Sequence, residues 1–329
     1  MGLWKLFLEL LSVLAFPSSQ KEPTNNNEPV HTQSQNEQTF ECLQDLLRAR
    51  AECLPERHVL SYALGSTSSA PRKVSYGMLY NEAKKNSTKL GALKRFKVGD
   101  PVLIHLDDRW DAILWFWTVL LAHGIPVLSS PLSNVEDHRH KNLQGLSQLL
   151  QSPLCITRAG SLCQFEGTTH AFELHTVESL LGVGADITAP PAASHVPNSF
   201  KTCRGDTNGA VCRKKEPLND PAVLMLTSGS TGNAKAVPLT HKQILASVSG
   251  KASIRARPLD DAFLNWIGIY HVAALIEIHI QALWLGVNQV HLHAADVFAS
   301  PRLFLDLLSR HRISRTFAPN FLLAKLVAT

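Results

Sequence analysis

The sequence lacks the features that identify a membrane protein or a nucleic-acid-binding protein. No part of the chain, its apolar first segment included, reaches the roughly 18 uninterrupted apolar residues that a membrane-spanning helix needs. The 32 lysines and arginines exceed the 27 acidic residues by only five, and no dense basic stripe is interleaved with aromatic side chains. We therefore expect a soluble chain that neither spans a membrane nor binds nucleic acid.

The six cysteines include no CxxC pair, which excludes a zinc ribbon. At 329 residues the chain is also far longer than the small secreted domains that disulfides hold together. We therefore expect reduced thiols and a cytoplasmic location. The cysteines are Cys42, Cys53, Cys155, Cys163, Cys203 and Cys212.

The start of the chain is predicted to lie outside its globular part. The first segment, MGLWKLFLELLSVLAFPSSQ, has a lysine near its start and an apolar run, as a signal peptide has. Glu9 interrupts this run and favours an amphipathic leader, with a cleaved signal peptide as the alternative. Residues 18–38 are rich in Asn, Gln, Ser and Pro, which is typical of a flexible linker. The sequence therefore predicts a leader and linker over 1–38 and a domain over 39–329, with a second linker or long loop at 183–220.

Apolar periodicity predicts strands that alternate with helices. The clearest unit contains a buried strand Val102–Leu106, a strongly apolar helix that stops at Gly124 and a second strand Ile125–Leu128. Strand, helix and strand in this order are typical of a largely parallel sheet. The alternation resumes at Pro221, with a helix expected near residues 272–285. The sequence therefore predicts an α/β fold.

The stretch LTSGSTGNAKAVPLTH, residues 226–241, joins two predicted strands at 222–226 and 235–238. Its glycines permit a close approach of the backbone to a ligand, its hydroxyls can donate hydrogen bonds, and its lysine supplies positive charge. Phosphates require several converging donors, so this loop predicts a phosphate-binding site. The predicted binding residues are Thr227, Ser228, Gly229, Ser230, Thr231, Gly232 and Lys235.

Two better-known loops do not account for this stretch. A Walker A loop requires GxxxxGK[ST], but here Lys235 follows Gly232 by three positions and Ala236 replaces the metal-binding hydroxyl. A serine hydrolase requires GxSxG at a turn from strand to helix, and the stretch does not contain it. A turn rich in serine and glycine that binds no ligand is the alternative.

Two His-x-His pairs could suggest a metal site. The pair His138 and His140 is explained by the end of a surface helix, and the pair His291 and His293 by the alternation of a strand. No metal site is therefore predicted.

The sequence LMLTSGSTGNAK, residues 224–235, is similar to the phosphate-loop signature of the adenylate-forming superfamily. This superfamily contains acyl-CoA synthetases, nonribosomal peptide synthetase adenylation domains and luciferases. Ala234 stands where many members have proline. The resemblance covers residues 39–329 and includes the segments NWIGIYHVAALIEIHIQALWLGVNQVHL and RISRTFAPNFLLAKL. It is of the fungal synthetase-like, acyl-activating type, and it implies the N-terminal domain of the adenylate-forming fold, with largely parallel sheets flanked by helices.

The resemblance implies a two-step ligase reaction in fungal secondary metabolite biosynthesis. A carboxylic acid substrate attacks the α-phosphate of ATP, which is bound with Mg²⁺, and gives an acyl-adenylate and pyrophosphate. A thiol of coenzyme A, or of the phosphopantetheine of a carrier protein, then takes the acyl group. The loop from Thr227 to Lys235 would bind the β- and γ-phosphates, and His271 would line the acyl pocket near the carboxylate. A histidine satisfied within the core is the alternative for His271. Tyr270 stands where fungal relatives carry an acidic residue that could meet an amine, which argues against amino-acid substrates.

The chain ends at Thr329, before several parts that members of the superfamily contain. These parts are a turn that packs on adenine, an aspartate that binds the ribose and a small C-terminal domain whose lysine contacts the α-phosphate. We therefore expect activity to need a missing or separate C-terminal part, such as another polypeptide that completes the active site. The alternative is a catalytically inactive, truncated relative that acts as a nucleotide-binding or interaction protein.

Overall fold

The computed structural model describes residues 40–67, 69–167, 171–182, 217–227, 235–254 and 261–328. The predicted leader and linker at 1–38, and all but the last four residues of the predicted loop at 183–220, lie outside these ranges. The domain division made from the sequence therefore stays a prediction.

Helices and strands alternate along the described residues. The α-helices are α1 (Leu43–Cys53), α2 (Tyr76–Gly91), α3 (Arg109–Leu121), α4 (Glu136–Leu149), α5 (Val177–Leu181), α6 (His241–Ala252), α7 (Gln281–Leu285), α8 (Ala294–Ala299), α9 (Pro301–Arg310) and α10 (Asn320–Val327). A π-helix covers Ala273–Ile280, and 3₁₀ helices cover Ala159–Phe165 and Pro217–Asn219. The strands are β1 (His58–Ser61), β2 (Arg72–Ser75), β3 (Pro101–Ile104), β4 (Ile125–Leu128), β5 (Leu154–Thr157), β6 (Glu173–Thr176), β7 (Pro221–Thr227), β8 (Lys235–Thr240), β9 (Ala262–Asn265), β10 (Asn288–His291) and β11 (Ile313–Arg315).

The described strands form two sheets and a hairpin. The first sheet has the order β4–β3–β5–β6, and all of its strands are parallel. The second sheet has the order β11–β9–β10–β1–β2, and only β2 runs antiparallel to its neighbour. Strands β7 and β8 form the antiparallel hairpin. The α/β fold with largely parallel sheets that the sequence predicts is therefore confirmed.

Helix α3 lies at the centre of the largest core. All residues of the range 109–120 are buried, because the sequence RWDAILWFWTVLL places apolar side chains on every side of the helix. Asp108 caps the helix by accepting a hydrogen bond from the Asp111 N–H at 3.0 Å. The chain leaves the helix at Gly124, where a Cβ atom would stand 3.0 Å from the ring of Phe96. The predicted strand, helix and strand around α3 are confirmed.

Both sheets contribute to the core around α3. Val102 and Ile104 of β3 share one buried cluster with α3 and with Val59 of β1. Leu103 of β3 belongs to a different cluster, which also contains Val127. Because successive residues of a strand face opposite sides, β3 has apolar contacts on both of its faces, as strands of parallel sheets generally have.

Several elements differ from the expectations made from the sequence. The helix expected near residues 272–285 is a π-helix over its first part and becomes α-helical only in α7. The segment RISRTFAPNFLLAKL contains the short strand β11, which ends at Arg315, and helix α10. The elements β6, α5 and α8 were not predicted from the sequence, because elements of four to six residues are too short to establish a period.

A chain of hydrogen bonds links α3 to β10 inside the core. Trp117 Nε1 donates to His279 Nε2 at 2.8 Å, and His279 Nδ1 lies 2.7 Å from Gln289 Oε1. An indole nitrogen can only donate, so His279 Nε2 must accept and Nδ1 must carry the ring proton. All three side chains are buried, and burial lowers the pKa of His279 to about 4. The folded protein therefore requires a neutral His279.

Acidification is expected to reduce the free energy of unfolding from about pH 6.5 down to about pH 4. Burial also lowers the pKa of His291 well below 6.5. The unfolded chain protonates both histidines near pH 6.5 and the folded chain does not. The two histidines therefore do not reduce the free energy of unfolding above that pH. As the pH falls below it, each of them reduces the free energy of unfolding by roughly 1.4 kcal/mol per pH unit. Urea unfolding at a series of pH values measures this slope.

A matched pair of variants separates this effect from general acid sensitivity. His279→Gln should make the slope smaller, whereas His138→Gln, at an exposed position of α4, should leave it unchanged. Equal slopes in the two variants would contradict the assignment of the slope to His279.

Candidate functional site

The β7–β8 hairpin holds the two ends of the predicted phosphate-binding loop opposite each other. Thr227 at the end of β7 pairs with Lys235 at the start of β8, and the Thr227 hydroxyl donates to the Lys235 carbonyl at 3.5 Å. These two predicted residues are therefore brought together. The other predicted phosphate-binding residues lie outside the described residues and stay predictions: Ser228, Gly229, Ser230, Thr231 and Gly232.

Strand β7 anchors this hairpin in the core through both of its faces. Val223 and Met225 belong to the cluster around α3. Leu224 and Leu226 pack against the cluster that lies on the other face of the first sheet. Alternating contacts of this kind fix the register of the strand, so the end of β7 has a defined position.

Strand β8 leads directly into α6 through a capping box. The Thr240 hydroxyl accepts from the Gln243 N–H at 3.2 Å, and the Thr240 N–H donates to Gln243 Oε1 at 2.9 Å. Next to this cap, His241 is buried, and its Nδ1 accepts from the Leu43 N–H of α1 at 3.2 Å. The end of β8 at Thr240 is therefore held in place, and with it the start of β7 at Pro221, which pairs with Thr240.

Lys235 is exposed and available to an anionic ligand. Within the described residues it forms no ion pair with a carboxylate. An exposed ammonium is screened by water and binds a single charge weakly, so strong binding requires further donors from the same loop. A polyphosphate suits such a loop because it presents several acceptors and several charges.

A second group of candidate residues follows the strands of the second sheet. Strands β1, β9, β10 and β11 are parallel, so the segments that follow them lie at one edge of the sheet. Trp266 Nε1, after β9, donates to the Phe317 carbonyl, after β11, at 2.7 Å. The Leu292 N–H, after β10, donates to the Asn265 carbonyl at 3.0 Å. Open α/β sheets bind their ligands outside this carboxyl edge.

The segment Trp266–His271 crosses this edge and carries the predicted acyl-site residue. Tyr270 is half-buried, and its ring lies so close to Gly268 that a Cβ atom there would stand 2.1 Å from the ring. His271 reaches solvent, and its N–H donates to the Gly268 carbonyl at 2.9 Å. Glycine at 268 is therefore what allows the tyrosine ring to fold back onto the backbone.

His271 presents a hydrogen-bond donor at the start of the π-helix. Its Nδ1 accepts from the Ala273 N–H at 3.2 Å, so the proton of the neutral ring is on Nε2. Partial desolvation lowers the pKa of His271 below its ordinary value of 6.5. At neutral pH the side chain therefore offers one N–H group and no net charge.

Arg109 was not identified from the sequence as a site residue, although it lies at the same edge. It is only 9% exposed, its Nε has no hydrogen-bond partner, and its Nη2 donates to the Trp266 carbonyl at 3.4 Å. Burial lowers the pKa of Arg109, whereas the nearby Tyr270 and Asp108 raise it.

No carboxylate among the described residues forms an ion pair with Arg109. A buried cation without such a pair favours an anionic ligand. Its position at the turn from β3 to α3 is the signal that could have identified it.

The candidate residues fall into two groups with different supports. Thr227 and Lys235 belong to the hairpin, whereas His271 lies in the segment that follows β9 of the second sheet. No hydrogen bond among the described residues joins the two groups. The described part of the chain contains no cluster of three or more metal-ligating side chains. None of the described helices is long and apolar enough to cross a membrane.

Comparison with known proteins identifies the relatives of this chain. The family of AMP-binding enzymes matches residues 47–329. Nonribosomal peptide synthetase apvA of Aspergillus terreus is 40% identical over 88% of this chain and 29% of its own length. Aspulvinone E synthetase melA of the same fungus is 39% identical over 85% of this chain and 28% of its own length. Nonribosomal peptide synthetase ucdA of Aspergillus ustus is 42% identical over 77% of this chain and 25% of its own length. The chain thus spans between a quarter and three tenths of these relatives.

Solved structures of adenylation domains have the same fold. The adenylation domain of a keto acid-selecting NRPS module, bound to a keto acyl adenylate, is 25% identical with a TM-score of 0.68 and covers 88% of this chain and 48% of its own. McyG A-PCP complexed with phenylalanyl-adenylate is 23% identical with a TM-score of 0.69 and covers 88% of this chain and 42% of its own. The two sheets and the hairpin are therefore those of the N-terminal part of an adenylation domain.

Gly268→Ala is expected to destabilise the protein by about 1–3 kcal/mol, because the new Cβ atom overpacks the site and displaces the Tyr270 ring. Chemical unfolding measures this loss. In a Tyr270→Ala background the same substitution should have a much smaller effect, since the clashing ring is gone. An equal loss in both backgrounds would show that the ring is not the cause.

Proposed function

The chain belongs to the AMP-binding enzyme family, and from this membership we propose that it activates a carboxylic acid with ATP. A carboxylate oxygen attacks the α-phosphorus, and the bond from that phosphorus to the oxygen bridging to the β-phosphate breaks. The products are an acyl-adenylate and pyrophosphate. The observation that carries the proposal is the β7–β8 hairpin, which holds Thr227 and Lys235 at the two ends of the glycine- and hydroxyl-rich loop.

The residues at the hairpin fit the phosphates of ATP. Lys235 offers an ammonium that is free of any carboxylate in the described part of the chain, and Thr227 offers a hydroxyl. We propose that the residues between them, Ser228 to Gly232, add backbone and hydroxyl donors. Each hydrogen bond to a charged oxygen contributes roughly 1.5–3 kcal/mol. The family uses ATP with Mg²⁺, which neutralises part of the charge that develops on the leaving pyrophosphate.

The carboxyl edge of the second sheet suits an organic acid that has no amine. The N–H of the neutral His271 can donate to a carboxylate or keto oxygen. Tyr270 supplies no carboxylate for an ammonium group, and the buried charge of Arg109 nearby repels one. The solved structure that is 25% identical is the adenylation domain of a keto acid-selecting NRPS module. We therefore propose an aryl acid or a 2-oxo acid as the substrate class, with His271 lining the acyl pocket.

The acyl group is proposed to pass to a thiol in a second step. The fungal relatives apvA and ucdA are named nonribosomal peptide synthetases, and this chain spans less than a third of their length. The phosphopantetheine of a carrier protein is therefore the proposed acceptor, with coenzyme A as the alternative. A further polypeptide segment would complete the active site. The pathway proposed is the synthesis of a fungal secondary metabolite.

Lys235→Ala is expected to weaken Mg·ATP binding by roughly 10- to 100-fold, because it removes a charged donor from the phosphates. Equilibrium dialysis with labelled ATP measures the affinity. Lys242→Ala removes an exposed lysine from the first turn of α6 and serves as the control, with unchanged binding expected. Equal affinities in the two variants would refute the role of Lys235.

ATP–pyrophosphate exchange is expected with an aryl 2-oxo acid and to be at least ~10-fold weaker with the 2-amino acid of the same side chain, because an ammonium meets no counter-charge. Tyr270→Asp should narrow this preference, whereas Tyr270→Phe should keep it. ATP binding without exchange for any acid would favour the alternative of an inactive nucleotide-binding relative. Equal exchange with both acids would contradict the proposed substrate class.

A further inference from the structure

The hydrogen-bond chain of the core continues to the backbone of the segment Trp266–His271. Beyond Gln289, the ring of His291 places Nε2 3.0 Å from Gln289 Oε1 and Nδ1 3.3 Å from Asn265 Nδ2. Asn265 Nδ2 donates to the Ile267 carbonyl at 3.0 Å, and Asn265 Oδ1 accepts from the Ile267 N–H at 3.2 Å. Gln289 and His291 are fully buried and Asn265 is 1% exposed. These hydrogen bonds therefore lie in the core, where their side chains are shielded from solvent.

Each side chain of this network has one amide orientation or one ring tautomer that satisfies all of its hydrogen bonds. Gln289 Oε1 accepts from His279 Nδ1, so it can also accept from a protonated Nε2 of His291. His291 Nδ1 is then an acceptor, and Asn265 must present its amide nitrogen to it. Turning the Gln289 amide over would place two donors face to face at His279. The Trp117 donor thus sets the direction of every bond up to Ile267.

A single side chain of β10 therefore contacts a residue on each side of the acyl-site segment. Upstream of the segment, Gln289 Oε1 holds His291, which holds Asn265 at the end of β9. Downstream of it, the same oxygen holds His279 in the π-helix, and Gln289 Nε2 adds a bond to the His279 carbonyl at 3.3 Å. Gln289 Nε2 also donates to the Tyr76 hydroxyl at 2.8 Å, which attaches the clamp to α2.

We propose that Gln289 is a positioning residue for the acyl substrate, because its amide clamps both flanks of the segment that carries Tyr270 and His271. The inference rests on the proposed function for its link to substrate, and the clamp itself rests on the hydrogen bonds. A buried polar network gives a more unique geometry than apolar packing when all of its members are satisfied. A π-helix adds one residue to a helical turn, and such helices occur mainly at functional sites. Here the π-helix carries His279, which is the downstream contact of the clamp.

Gln289→Met removes both arms of the clamp while it preserves the length of the side chain. In ATP–pyrophosphate exchange we expect the KM for the acid to rise by at least ~10-fold and the KM for ATP to change by less than ~2-fold. Gln289→Glu keeps an acceptor for both histidines and should restore most of the KM for the acid. Gln281→Met is the matched control, because Gln281 is a buried glutamine whose amide donates to the Val248 carbonyl at 3.0 Å, away from the segment.

Three results would overturn the proposal. They are equal effects of Gln289→Met on the two KM values, a similar rise in Gln281→Met, and an unchanged KM for the acid in correctly folded Gln289→Met. Should Gln289→Met not fold, Asn265→Asp takes its place, with the same rise in the KM for the acid expected. It replaces the donor to Ile267 and His291 by an acceptor and keeps the acceptor for the Ile267 N–H.

Hydrogen–deuterium exchange tests the clamp independently of catalytic activity. A wild-type chain without ATP–pyrophosphate exchange would refute the proposed function but not the clamp. Relative to Gln281→Met, the variant Gln289→Met should speed amide exchange over residues 266–272 by at least ~10-fold, since the hydrogen bonds that hold His291 and His279 on the two sides of the segment are lost. Equal protection in the two variants would overturn the clamp.

Discussion

A helix that is apolar on all sides must be enclosed on all sides, and α3 imposes this requirement on the whole domain. Both parallel sheets pack around it because none of its faces tolerates water. The enclosed helix therefore fixes the positions of two polar side chains, Trp117 and Arg109. Trp117 presents an N–H inside the core, and Arg109, in the first turn, reaches the Trp266 carbonyl at the carboxyl edge of the second sheet. The burial of one helix therefore determines where a donor and a cation lie relative to the site.

The two cations of the candidate site act under different conditions. Lys235 is exposed on a hairpin, where water screens its charge, so it contributes mainly in concert with the donors of its loop. Arg109 is buried and forms no ion pair with a carboxylate among the described residues, although the nearby Asp108 raises its pKa. Water therefore screens its charge less than that of Lys235. It lowers the pKa of His291 and of His293 in addition to the effect of their burial. A mobile, highly charged polyphosphate suits the first environment, and a small organic anion suits the second.

The parts of the fold that depend on local pattern could be predicted from the sequence, and those that depend on tertiary contacts could not. The strand at residues 125–128 and the hairpin strands followed from apolar runs and the glycines that interrupt them. The π-helix could not be distinguished from an α-helix, because an unbroken apolar segment has no polar face to reveal its winding. The sequence correctly predicted that His291 lies on a strand. It could not predict that Gln289 Oε1 accepts hydrogen bonds from both His291 and His279, because these bonds form only when β10 and the π-helix pack together. Of the predicted phosphate-binding residues, the structure describes Thr227 and Lys235, and the others stay predictions.

The hairpin proposed to bind phosphate and the segment proposed to bind the acyl group have separate sheet and hydrogen-bond supports within one core. The hairpin is fixed by the first sheet, through Leu224 and Leu226, whereas the acyl-site segment is fixed by the second sheet, through Asn265 and Gln289. No hydrogen bond among the described residues joins the two groups. They meet in the apolar cluster around α3, which contains Val223 and Met225 of the hairpin and Ile269 of the segment. Separate polar supports allow selectivity for an acid to evolve without a change in the contacts proposed for phosphate. The constraint that remains is the distance between the two groups, and the rigid core around α3 keeps it constant.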